Sequence, residues 1–313
     1  MTGKHMKMSA INDFKKISKE EWLSKANIDL KGKLSAESLL YTVDDRISFS
    51  PFLMGEDVEN CQPVSGPDTR AAIKINSYTD REANTKALEM LNRGAEVIAF
   101  DVLPRFDFQV LFKGIFLDMV TVILFCNDKN LANAKLNEYL SKNKSEKDTN
   151  VIIFNTSECF RLSSKKETFS NRINRIRQEL ERHSENEKIY LFIELKKDFL
   201  TQIAELRAIR KLNETLRNQT GNLFIITEIN TSPEEENVHP LIIANYLLMS
   251  SYLGMADISF GLPWDDDGDT ARLCLNIHHV LKEESGFNFV TDPTAGAYII
   301  EKLTQELIMA SNI

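Results

Sequence analysis

From residue 71 onward the chain alternates two patterns. Short, nearly uninterrupted apolar runs rich in Val, Ile and Phe are each bounded by polar or turn residues: AAIKIN (71–76), EVIAFDV (96–102), TVILFC (121–126), NVIIFNT (150–156), KIYLFIEL (188–195), NLFIITEI (222–229) and DISFGL (257–262). Runs of that length and composition predict strands buried on both faces, hence parallel strands. Between them lie longer stretches such as REANTKALEMLNRGA, ETFSNRINRIRQELERH and DTARLCLNIHHVLKEES, whose apolar residues recur at helical spacing. Regular alternation leaves two architectures, an open doubly wound sheet or a (β/α)8 TIM-type barrel. A dinucleotide fold wants a glycine-rich loop after its first strand, but Ser77-Tyr78-Thr79-Asp80 follows here and no G-x-G-x-x-G occurs anywhere. The barrel is preferred. Seven strands are visible where a closed barrel needs eight. Either one hides around FKGIFLDM or in 143–149, or one unit is reduced.

Residues 1–65 differ in character. DFKKISKEEWLSKANIDLKGK has a helical pattern carrying Trp22, SLLYTVDDRISFSPFL reads as extended hairpin-like strands, and Ser65-Gly66-Pro67 closes the region. The chain divides on this reading into an N-terminal arm, 1–65, and a barrel, 66–313. The arm is either a pad on its own barrel or a strap around a partner, since extended termini stay ordered only when docked.

Composition narrows the function. The 313 residues are 42% hydrophobic and 27% charged with a formal charge of -8, and the basic residues form no stripe, which argues against a nucleic-acid surface. Cys61, Cys126, Cys159 and Cys274 are far apart and show no metal spacing, which fits a reducing, cytoplasmic setting. No apolar run has membrane-span length and the N-terminus lacks a signal-peptide core.

A barrel places its chemistry at the C-terminal ends of its strands. Those ends offer carboxylates, amides and hydroxyls but no histidine; Asp101, Glu194 and Glu228 are the candidates for acid/base work. Their plainer reading is as hydrogen-bonded structural groups or helix caps. His278 and His279 are adjacent on a helix, so their rings diverge and cannot share a metal. His239 sits before Pro240 at a helix start, and His183 in a charged helix end. Ser232-Pro233-Glu234-Glu235 reads as a capping device. The acidic loop 265–269 lacks the glutamate of a calcium loop and reads as a helix start. No metal site is expected.

The C-terminal third carries a resemblance. LGMADISFGLPWDDDGDTARLCLNIHHVLKEESGFNFVTDPTAGAYIIEKLTQEL is similar, in order and spacing, to the closing part of the barrel in methylmalonyl-CoA mutases: an R-x-x-x-N helix (Arg272, Asn276) ending in EESG, then DP-x-x-G-[SA]-Y-x-x-E-x-LT with Asp292, Pro293, Gly296, Tyr298, Glu301, Leu303 and Thr304. DFLTQIAELRAIRKLNETL resembles another helix of that family, with Ala204, Leu206, Arg207, Ala208 and Arg210 in place; the stretch 127–187 matches poorly. The resemblance implies a TIM-type barrel and adenosylcobalamin-dependent interconversion of methylmalonyl-CoA and succinyl-CoA.

The departures matter as much. The substrate-binding tyrosine and arginine of the family's catalytic chains have no counterpart in PFLMGEDVENCQPVSGPDTRAAIKIN, and two strand ends that carry histidine there read Asn155-Thr156-Ser157-Glu158 and FIITEINTS here. No histidine lies in a D-x-H-x-x-G motif and the sequence ends at Ile313. The resemblance therefore implies a short, non-catalytic small subunit that binds no cofactor itself, with adenosylcobalamin held by a large catalytic partner subunit. The rival is a stand-alone barrel enzyme acting on an acyl-CoA or small acid through Asp101, Glu194 and Glu228; a third reading is a homodimeric remnant. A barrel mouth plugged by Phe106, Phe154, Phe160, Phe260 and Trp264 is expected on the first reading.

Overall fold

The computed structural model of the protein describes residues 17–58, 61–143, 149–163, 165, 167–217, 222–229, 238–261 and 268–312. A hairpin, β1 (Tyr41–Asp44) and β2 (Ile47–Phe49), precedes eight parallel strands: β3 (Arg70–Ile75), β4 (Val97–Asp101), β5 (Thr121–Cys126), β6 (Val151–Asn155), β7 (Phe160–Leu162), β8 (Ile189–Glu194), β9 (Leu223–Glu228) and β10 (Ile258–Phe260). Their order in the sheet is β6-β5-β4-β3-β10-β9-β8-β7. The last strand pairs with the first, Ile258 to Phe260 against Arg70 to Ala72, and all other laddered neighbours are consecutive in the chain. That wrap is the order of a TIM-type barrel; a doubly wound sheet would instead reverse direction from a central strand. All seven apolar runs are strands. The wall curls round and is left unlaced at one seam, between β6 and β7.

The eighth strand is β7, only three residues long and joined to β6 by the four residues 156–159. Four residues cannot hold a crossover helix, so one unit is reduced. Residues 112–119 form turns, and 144–148 lie outside the described residues. The link is pinned at its start, with Glu158 N donating to Asn155 O at 3.1 Å and Cys159 Sγ to the same oxygen at 3.2 Å.

Period-two alternation sorts the strand side chains. Ala72, Val97, Ala99, Ile123, Phe125, Phe192, Ile226, Ile258 and Phe260 pack together inside the barrel, while Ile73, Ile98, Val122 and Leu124 face the helices. The interior is thus filled with side chains, each large one worth ~1.5–3 kcal/mol when fully buried.

Around the wall stand α2 (Asp80–Asn92), the single turn α3 (Phe108–Leu111), α4 (Lys129–Lys142), α5 (Phe169–Arg182), α6 (Phe199–Arg217), α7 (Pro240–Leu253) and α8 (Gly268–His279). Thr79, Asp128 and Thr168 cap α2, α4 and α5 through their side-chain oxygens. A last helix, α9 (Tyr298–Ala310), packs on α6 from outside the ring. Enclosed by α5, α7 and α9, α6 buries residues on every side, Glu205, Arg207, Arg210 and Arg217 among them.

The region before the barrel has two parts. The hairpin is docked: Ile47 and Phe49 join the core under α5 and α6, and Asp44 accepts from Ser170 N and Ser170 Oγ, each at 2.9 Å, at the start of α5. A helix ahead of it, α1 (Lys19–Asp29), buries none of its residues; it is held by Trp22 stacked on Phe52 at 4.7 Å and by Lys19 bonded to Asp57.

Candidate functional site

On each strand the last inward position lies at the C-terminal rim of the wall. The rim thus carries Lys74, Asp101, Phe125, Phe154, Glu194, Glu228 and Phe260, with Arg161 contributed by β7. Lys74 Nζ lies 2.9 Å from Asp101 and 5.2 Å from the centre of the Phe125 ring. Arg161 lies 2.5 Å from Glu228, with its guanidinium 4.5 Å from the Phe192 ring centre and 5.3 Å from that of Phe125. Two cations therefore bracket one phenylalanine, each neutralising a carboxylate.

Beneath them the rings of Phe125, Phe154 and Phe192 meet at 5.1–5.9 Å, and Tyr190 touches Phe154 edge-on at 5.0 Å. Offset and edge contacts of this kind are favourable beyond simple burial. Of the expected plug, Phe154 and Phe260 line the interior. Phe106 instead belongs to the outer cluster with α3, and Phe160 packs towards α5, with Arg175 5.3 Å from its ring. Trp264 lies outside the described residues. Phe125 and Phe192 fill the space.

All three candidate acids stand on the rim, but not as one group. Glu194 and Glu228 are directly opposite in the β8–β9 register. Asp101 is on β4, with β3 and β10 between it and β9. Alternation along Ala72–Lys74 was the available signal for Lys74. Arg161 had none, because its strand is too short to show a period.

A surface cleft of about 530 Å³ opens beside Asp101, lined by Asn76, Ser77, Tyr78, Glu82, Lys86, Asp101 and Leu103. The described imidazoles lie elsewhere and are engaged. His278 is buried against Tyr252 Oη at 2.9 Å, and burial, with His279 and Lys282 nearby, lowers its pKa to about 3. His279 Nε2 meets Arg93 O at 2.8 Å, His239 Nδ1 accepts from Leu241 N at 3.2 Å, and His183 lies between Glu179 and Glu187. Residues 232–235 and 265–267 lie outside the described residues; Asp269 pairs with Arg272 at 3.0 Å in the first turn of α8. No cluster of metal-ligating side chains is present among the described residues. Nor is any helix among them long and apolar enough to cross a membrane.

The motif residues form a second constellation, away from the rim. Arg207 on α6 donates to Glu301 at 2.7 Å, to Thr294 Oγ1 at 3.0 Å and to Asp292, all buried. Asp292 also accepts from Val64 N at 2.8 Å, and Glu301 from Gly296 N at 3.2 Å. Arg210 reaches Asp257 at 2.6 Å, and Arg172 pairs with Glu205 at 2.8 Å. The closing motif is thus a bracket that ties α9 and the segment before β3 to α6.

Residues 255–312 match the family described as Methylmalonyl-CoA mutase. Methylmalonyl-CoA mutase of Cereibacter sphaeroides is 31% identical over 137 residues, 38% of this chain and 19% of that protein. The methylmalonyl-CoA mutase small subunit of Porphyromonas gingivalis is 28% identical over 109 residues, 30% of this chain and 18% of the other. The Rhizobium meliloti methylmalonyl-CoA mutase is 28% identical over 137 residues, again 38% and 19% of the two chains. The chain therefore spans under a fifth of the length of the curated relatives it matches. Over part of its length this chain is therefore similar to methylmalonyl-CoA mutases, one of them a small subunit, and its sheet has the order of a TIM-type barrel.

Proposed function

We propose that this chain is a non-catalytic small subunit of an adenosylcobalamin-dependent methylmalonyl-CoA mutase, supporting the large catalytic subunit as its heterodimer partner. The observation that carries this reading is the packed barrel: Phe125, Phe154, Phe192 and Phe260 occupy the axis that an acyl-CoA would need, and two ion pairs cap them. The cofactor is assigned to the large subunit. The residues described here do not suit it, since each described imidazole already has a partner and none stands on the rim. The helix Lys19–Asp29, none of whose residues is buried, is assigned to the partner surface. The docked hairpin is assigned to the barrel's own structure, so the arm serves both roles.

The test is a mutase assay of each chain separately and mixed, with co-elution of the mixture. The reading expects no turnover by this chain alone and a stabilised large subunit on mixing. Turnover by this chain alone overturns it.

A second reading has one observation in its favour. The cleft of about 530 Å³ beside Asp101 could admit a small acid, with Lys74 and Lys86 as cations near it. In that case Asp101→Ala abolishes an activity of the isolated chain, found by screening acyl-CoA and small-acid substrates.

A further inference from the structure

Inward side chains of β3, β4, β5, β9 and β10 in the middle of the barrel are sealed, but Ile152 on β6 and Tyr190 on β8 are only half-buried. Only Ile153 of the five β6 residues is buried. The ladder gives the reason. Asn150 O accepts from Val122 N at 2.8 Å and Thr156 N donates to Cys126 O at 2.9 Å, so the even-numbered residues of β6 turn their main-chain groups towards β5. By alternation the amides and carbonyls of Val151 and Ile153 point the other way, into the seam. Among the described residues no hydrogen bond reaches them there.

Across the seam, β7 begins only at Phe160, which is in register with Leu191 of β8. Ile189 N donates to Asn222 O on the β9 side at 2.9 Å, so alternation turns the Tyr190 amide towards the seam. Among the described residues, therefore, half a strand is missing from the wall below Phe160. What remains is a slot in line with β7, edged by Val151 and Ile153 on one side and by the Tyr190 amide on the other. Its upper end is closed by the turn 156–159, where Glu158 and Cys159 take the seam-facing carbonyl of Asn155.

Unpaired ladder groups at strand spacing are complemented by another extended backbone, and an edge left bare is an aggregation hazard. We propose that an extended segment of the large mutase subunit enters this slot and completes the wall in trans, placing an apolar side chain between Ile152 and Tyr190. This rests on the heterodimer proposed above. It adds the place and the mode of contact: main-chain pairing on β6, through a segment of roughly three to five residues.

Residue-resolved hydrogen exchange on the isolated chain and on its mixture with the large subunit tests the inference, with co-elution recorded on the same samples. In the isolated chain the Val151 and Ile153 amides should exchange at least a hundredfold faster than those of Ile152 and Phe154. In the complex both should slow at least a hundredfold. Val151→Pro removes one seam donor at an edge position where proline is tolerated and should weaken the complex tenfold or more, while Val151→Ala should not. Slow exchange of both amides in the isolated chain overturns the inference by itself. A complex that forms while both amides stay fast overturns it and leaves the heterodimer standing. Failure of the two chains to co-elute removes the heterodimer and the inference with it.

Discussion

Arg207 and Glu301, 94 residues apart in the chain, meet at 2.7 Å with both side chains fully buried. Arg207 also pairs with Asp292, so removing Arg207 leaves two buried carboxylates without it, a loss of the kind that costs ~3–5 kcal/mol. Arg207→Met should lower stability by about that amount, whereas Glu301→Ala, which leaves Arg207 paired with Asp292, should cost less. Urea unfolding of the two variants measures it; equal losses would contradict the bracket.

Stability should fall in mild acid because of His278. Its folded pKa is lowered to about 3 from an ordinary 6.5, so between those values the unfolded chain binds a proton that the folded chain refuses. The contribution is complete above pH 6.5 and is lost progressively as pH falls towards 3. Between pH 7 and pH 5 the loss is about 2 kcal/mol. His278→Gln should flatten that part of the profile, read from urea midpoints at the two pH values.

Gly94 has φ +90°, and a Cβ there would stand 2.6 Å from Cε1 of His279, whose ring closes the end of α2 by bonding Arg93 O. Gly94→Ala combines backbone strain with that overlap and should cost ~2–3 kcal/mol. Pairing it with His279→Ala relieves the overlap and leaves the strain, so the double variant should recover part of the thermal-midpoint loss caused by the glycine change.

At the rim the two readings of function part. The Lys74–Asp101 and Arg161–Glu228 pairs are partly exposed, so Asp101→Ala or Glu228→Ala should change stability by no more than about 1 kcal/mol. In a mixture with the large subunit each should leave mutase turnover within twofold. A loss of a hundredfold or more would place catalysis on this chain.

The two parts of the N-terminal region should separate by truncation. Removing residues through Lys33 takes away a helix none of whose residues is buried and should leave a cooperatively unfolding barrel that binds the large subunit more weakly. Asp44→Ala removes the acceptor for Ser170 at the start of α5 and should cost ~1–2 kcal/mol in urea unfolding. Equal effects on binding and stability from both changes would refute the division.

Seven strands could be read from the sequence because a doubly buried parallel strand must be apolar at nearly every position, and that signal is local. The rim acids Asp101, Glu194 and Glu228 were legible for the same reason: each ends a visible run. Phe160–Leu162 was not legible, since three residues around an arginine carry no period. The sequence alone also determined the closing motif, as a pattern of residue types around Asp292, Gly296 and Glu301. What that motif does was decided by the tertiary structure, where Arg207 gathers Asp292, Thr294 and Glu301 from 85 to 94 residues away. The pairing of Lys74 with Asp101 and of Arg161 with Glu228, the filling of the axis by Phe125 and Phe192, and the bare edge of β6 likewise depend on which strands become neighbours. Local periodicity sets the face each residue presents; only closure of the wall decides what stands opposite it.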